Sequence, residues 1–243
     1  MAHSSTSPAV LLHRDRQFFA RITLGLALII VLGFGQFAAL GRVDYRHVPL
    51  WFHVHGALML SWLTLAVVQT QLAARLSSPA LALHRRMGWL AVAYIAAVPL
   101  VGGMTLRSAL GGQLIPPFFT PAYFLALNAC FLLGFPALIL LAVLRRRETA
   151  WHARLILAAN VLLLDPALGR LLPMPLLGLN GEWLAMAVEM VPFALLARHD
   201  QRQMGQVHPA TVLGAGSNMA LHILTALLAQ NAPIIALAAD LGQ

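Results

Sequence analysis

The chain has 243 residues, of which 60% are hydrophobic and only 10% charged, with a mean hydropathy of +0.78. A soluble domain carries about a quarter charged residues, so this balance excludes one and points to a chain folded in lipid. A net charge of +8 would suggest a nucleic-acid partner for a soluble protein, but every basic residue here is an arginine and nearly all of them sit at the ends of apolar runs or in the loops between them, so no nucleic acid is expected.

Seven mostly apolar runs lie at roughly 19 to 40, 50 to 73, 87 to 108, 119 to 144, 151 to 172, 181 to 198 and 209 to 231, each close to the about twenty residues that cross a bilayer as a helix. Runs surrounded by hydrocarbon and this rich in Leu and Ala satisfy their backbone only as helices. The expected fold is all-α: an N-terminal segment over 1–18, then one transmembrane domain over 19–243. It reads as an integral bundle of seven transmembrane helices in a bacterial cytoplasmic (inner) membrane. With the N-terminus cytoplasmic, Arg42, Arg46, Arg107 and Arg170 are the only outside arginines, and the remaining twelve of the sixteen lie inside. The positive-inside rule therefore places the N-terminus in the cytoplasm and the C-terminus outside.

The first run is about twenty-two residues, longer than the 7 to 15 of a signal core, and reads as an uncleaved helix. In the second, His53 and His55 lie about 200° apart around a helix axis, so both cannot face one site. His55 is the inward candidate, because Trp62 and Gln69 follow it at seven-residue steps. The third run opens near His84, the fourth holds the only cysteine, Cys130, and the fifth opens on His152. A lone cysteine excludes a disulfide framework and a thiolate cluster. In the fifth run Asp165 and Arg170 flank Pro166, which bends the helix, and an ion pair between them is expected. Glu182 and Glu189 share a face of the sixth run; Asn218 and His222, four apart, share a face of the seventh. Gly102, Gly103, Gly214 and Gly216 are candidates for close helix packing.

His84, His152, Asp200 and His208 mark the inner boundary. The landmarks HVHGALMLSW, LHRRMGWLAVA, HARLILAANVLLLDPALGR and DQRQMGQVHPATVLG resemble those of an uncharacterised family of bacterial multi-pass membrane proteins defined by a domain of unknown function, over about residues 50 to 215. The resemblance implies a seven-helix fold and marks His55, His84 with Arg85, His152 with Arg154, Asp165 with Arg170, and Asp200 with His208. The layout is also similar to that of transmembrane di-haem b-type cytochromes.

Three functional readings follow. In the first, haem b sits between facing histidines for electron transfer, His84 with His152 at the inner side and His55 with His222 at the outer. In the second, a metal-dependent membrane enzyme holds zinc or another divalent metal at its cytoplasmic face through His84, His152, Asp200 and His208. In the third, a transporter or accessory subunit without a cofactor uses Asp165, Arg170 and Glu189 to carry protons or a polar solute. The expected partners are the lipid bilayer and a redox or membrane-complex protein.

Overall fold

A computed structural model describes residues 8–243, and the elements among them are all helical. In chain order these are α1 (Pro8–Ala39), α2 (Leu50–Ala74), α3 (Ser78–Gly88), α4 (Leu90–Gly111), α5 (Pro121–Leu144), α6 (Thr149–Leu162), α7 (Asp165–Leu171), α8 (Met174–Leu177), α9 (Asn180–Met204), α10 (Pro209–Leu228) and α11 (Ala232–Leu241). Residues 1–7 of the expected N-terminal segment lie outside the described residues; from Pro8 onward the chain is already helix and runs unbroken into the first apolar run.

Among the described residues, five helical stretches are long and apolar enough to cross a membrane: Leu12–Ala39, Leu50–Ala74, Ser78–Gly111 (α3 with α4), Pro121–Leu144 and Pro209–Leu228. Long exposed Leu, Val and Ile side chains cover their outward faces, as a lipid-facing surface requires. The other two apolar runs take different forms. The fifth does not continue as one helix: α6 ends at Leu162, Leu163 and Leu164 turn, and α7 restarts at Asp165 with Pro166 in its first turn. Proline has no N–H to return to the preceding turn, so the break falls where the sequence carries it. The sixth, α9, has 25 residues but carries Glu182, Glu189, Arg198 and Asp200.

The short helix α6 is the centre of the bundle, packed against α1, α5, α9 and α10. From Arg154 to Leu162 every residue except Ile156 is buried. A helix buried on all sides shows no amphipathic stripe, which is why α6 reads as a plain apolar run. Gly214 lets α10 approach it: a Cβ there would lie 2.8 Å from Ala158 Cβ and 3.0 Å from a Phe193 ring carbon. Gly102 likewise meets Leu132, whereas Gly103 and Gly216 face open space and serve no contact. Gly33 seats α1 on α7, with its added Cβ placed 2.9 Å from the Ala167 carbonyl oxygen.

Helix starts follow from local chemistry. Ser77 and Thr120 accept hydrogen bonds from the backbone N–H of Ala80 and Tyr123, and Pro79 and Pro121 occupy the first turns, where a missing N–H costs nothing. α4 fills the third run, and α3 precedes it, the two separated at Trp89. Beyond the seventh run the chain forms one more helix, α11, whose Ala238 packs on Leu110, Ala122 and Leu125 where α4 ends and α5 begins.

Candidate functional site

Two groups of polar side chains stand apart in the bundle. The first lies where α2 passes to α3 and α5 passes to α6. His84 Nδ1 is 3.1 Å from the Gln69 carbonyl oxygen, and His152 Nδ1 is 2.9 Å from the Ala142 carbonyl oxygen. A carbonyl only accepts, so each Nδ1 carries the proton and each Nε2 is left with a free lone pair. The two ring centres are 6.5 Å apart with their planes at 84°. This tautomer, fixed by a backbone carbonyl, is the arrangement of a metal-ligating histidine.

Asp200 and His208 do not complete that pair. Both Asp200 oxygens are taken: Oδ1 accepts from Arg154 Nη2 at 2.5 Å and Nε at 3.1 Å, and Oδ2 accepts from Thr211 Oγ1 at 2.5 Å and from the His208 backbone N–H at 3.0 Å. Burial raises the Asp200 carboxyl, but these four hydrogen bonds outweigh it and hold its pKa below the usual carboxylate value. His208 Nδ1 caps α10 by accepting from the Ala210 N–H at 3.1 Å, and its ring packs edge-on against Trp151. Burial, followed by the nearby Arg154 charge, lowers the His208 pKa. Among the described residues no three of His84, His152, Asp200 and His208 bring ligand atoms within 4.8 Å of one another.

Arg154, marked by the sequence only as a neighbour of His152, is instead the hub of a structural network. Its guanidinium also lies 3.6 Å from Asp15 and over the Phe19 ring, and Asp15 accepts from His199 Nε2 at 3.0 Å. Asp15, Thr211 and His199 were not singled out by the sequence, where each looks like an ordinary polar residue near a helix end.

The second group lies inside the bundle, where α7 begins. Asp165, Glu189 and His222, from α7, α9 and α10, each offer a ligand atom within 4.8 Å of the other two, and all three are buried. Glu189 Oε2 lies 3.0 Å from His222 Nε2 and accepts from Asn218 Nδ2 at 2.8 Å. Asp165 Oδ1, Glu189 Oε1, Asn218 Oδ1 and His222 Nδ1 are buried without a hydrogen-bond partner, as is Oε2 of nearby Glu182.

The expected Asp165–Arg170 ion pair does not form. Arg170 Nη1 donates to the Pro166 carbonyl at 2.6 Å, and its guanidinium lies 4.1 Å from the centre of the Phe34 ring on α1. The chain restart at Asp165 explains the difference: the carboxylate turns inward at the head of α7 while Arg170, in its last turn, meets α1. His222 bonds Glu189 and packs edge-on to Phe131, while His55 is half-buried with Nδ1 unpartnered; His53 is exposed, as the helical spacing requires. Trp62, on the stripe with His55, donates from Nε1 to Asn160 Oδ1 at 3.0 Å and ties α2 to the central helix.

No protein-family model matches this chain, and no curated protein or solved structure matches it either, so the geometry of these two groups carries the functional argument.

Proposed function

We propose that this is a seven-span integral protein of the bacterial cytoplasmic membrane that binds haem b between His84 and His152 and transfers electrons at its inner face. The observation that carries this reading is the pair of imidazoles with ring centres 6.5 Å apart, each turned by a carbonyl at Nδ1. Two metal–nitrogen bonds of about 2.1 Å, each with a ring beyond, set ring centres about 6 to 6.5 Å apart across one ion.

Haem suits this donor set better than zinc. A structural or catalytic zinc takes three or four protein ligands, and Asp200 and His208 are engaged elsewhere. Haem would ask the protein only for ligands to its iron, which the two imidazoles of His84 and His152 would supply. Arg85 and Arg86, exposed beside His84, supply charge for propionates. The α6–α7 break leaves α7 to complete the fifth crossing, and α9, at about 1.5 Å per residue over its 25 residues, is long enough for the sixth. A metal-dependent enzyme at the same face remains a second reading, because a carbonyl-oriented imidazole pair equally suits two ligands of a zinc-like ion.

Extraction and assay of haem from purified protein tests the proposal. One b haem per chain is expected in the wild type, and loss of the haem in both His84→Ala and His152→Ala. Zinc without haem that is lost in both His84→Ala and His152→Ala would favour the second reading; neither haem nor a metal that depends on these two histidines would refute both.

A further inference from the structure

We infer that Asp165, Glu189, His222 and Asn218 form a binding site for a divalent first-row metal ion inside the helix bundle. The site shares no residue with the histidine pair at the inner face, and it stands or falls separately from the haem reading.

The argument begins with the polar atoms left over. Asp165 Oδ1, Glu189 Oε1 and Asn218 Oδ1 are buried, lack partners and can only accept. With the His222 Nε2–H donated to Glu189, the unpartnered His222 Nδ1 is an acceptor too. A cluster of buried acceptors with no unsatisfied donor is what a cation resolves, since each lone pair left alone carries its full desolvation cost.

Charge points the same way. Arg170, the nearest arginine in sequence, is bound to the Pro166 carbonyl and the Phe34 ring, and among the described residues no guanidinium forms a close ion pair with Asp165 or Glu189. A dication offsets the charges of Asp165 and Glu189, which is favoured where water is excluded. The donors select the ion: magnesium and calcium take oxygen sets, whereas an imidazole nitrogen with carboxylate oxygens fits zinc, manganese or iron(II). Size agrees as well. Bonds of about 2.1 Å span at most about 4.2 Å between opposite ligands. The three side chains already lie within 4.8 Å of one another, so they need to draw in by only a small fraction of a rotamer change.

The fold explains how the site is assembled. The α6–α7 break presents Asp165 at a helix start, and Gly214 lets α10 close onto α6 and α9 one turn before Asn218. His222 then stands one turn beyond Asn218 on the same face.

Chelator-washed protein in detergent, titrated with zinc and followed by calorimetry and metal analysis, tests the site. One saturable zinc per chain is expected. Glu189→Gln and His222→Ala should each weaken it more than about 100-fold, beyond the 10- to 100-fold that loss of an outer partner costs. His84→Ala should leave the zinc affinity unchanged, and Glu189→Gln should leave any haem spectrum unchanged. Because a bundle variant can fail to fold, cobalt(II) added to the wild type gives a second measurement: visible ligand-field bands, displaced by zinc and free of thiolate charge-transfer intensity. Absence of saturable zinc and of cobalt bands in the wild type would overturn the inference, as would full affinity in a folded Glu189→Gln or loss of the ion in His84→Ala.

Discussion

The Arg154 guanidinium binds the Asp200 carboxylate at 2.5 Å with both side chains almost wholly buried, at 1% and 0% exposure, and so joins the central helix to α9. Removing one partner of such a pair strands the other charge and typically costs about 3 to 5 kcal/mol. Asp200→Asn or Arg154→Ala should therefore lower the unfolding midpoint of the detergent-solubilised protein sharply. The haem content of the fraction that remains folded should be unchanged. A stability loss below about 1 kcal/mol would show that the network is wet.

The same pair sets an acid limit. Asp200 titrates below its ordinary value because Arg154, Thr211 and the His208 N–H favour its charged form over burial. A carboxyl whose folded pKa is depressed contributes stability that is present above its unfolded pKa, about 3.9, and is lost as pH falls through the folded value. Thermal unfolding measured from pH 6 downward should decline most steeply below about pH 4. Asp200→Asn, already destabilised, should show a flatter decline over that range.

Asp165 and Arg170 should be only weakly coupled, because no ion pair joins them. Arg170 is satisfied by the Pro166 carbonyl and the Phe34 ring, so Arg170→Gln does not strand Asp165. A double-mutant cycle of Asp165→Asn with Arg170→Gln should give a coupling energy below about 1 kcal/mol, well short of the about 3 to 5 kcal/mol of a buried pair. A coupling above about 1 kcal/mol would mean that the two charges meet in the bilayer after all.

The twelve-to-four arginine asymmetry across seven apolar runs predicts the topology. Reporter fusions should place the N-terminus in the cytoplasm and the C-terminus outside. Both ends on one side would mean an even number of crossings, with either α6–α7 or α9 failing to cross.

The long apolar helices were legible in the sequence because hydropathy over about twenty residues reports lipid exposure directly. The centre of the bundle was less so. In α6 there is no polar face to give a period, and the stop at Leu162 depends on Pro166 acting from four residues ahead. Asp165, Glu189 and His222 stood out as ionisable groups in apolar runs, but their meeting depends on the α6–α7 break and on the Gly214 contact. Asp200 and His208 shared a depth with His84 and His152, and depth alone could not reveal that Arg154 takes Asp200 and that His208 caps α10.

The histidine pair is tested most directly by the absorption spectrum of the purified protein, oxidised, then reduced with dithionite, then exposed to carbon monoxide. Two imidazoles on one haem iron predict a Soret band and sharp reduced α and β bands that carbon monoxide leaves in place, because both axial positions are filled. A protein without a Soret band, or one whose reduced bands shift fully with carbon monoxide, would contradict axial ligation by His84 and His152.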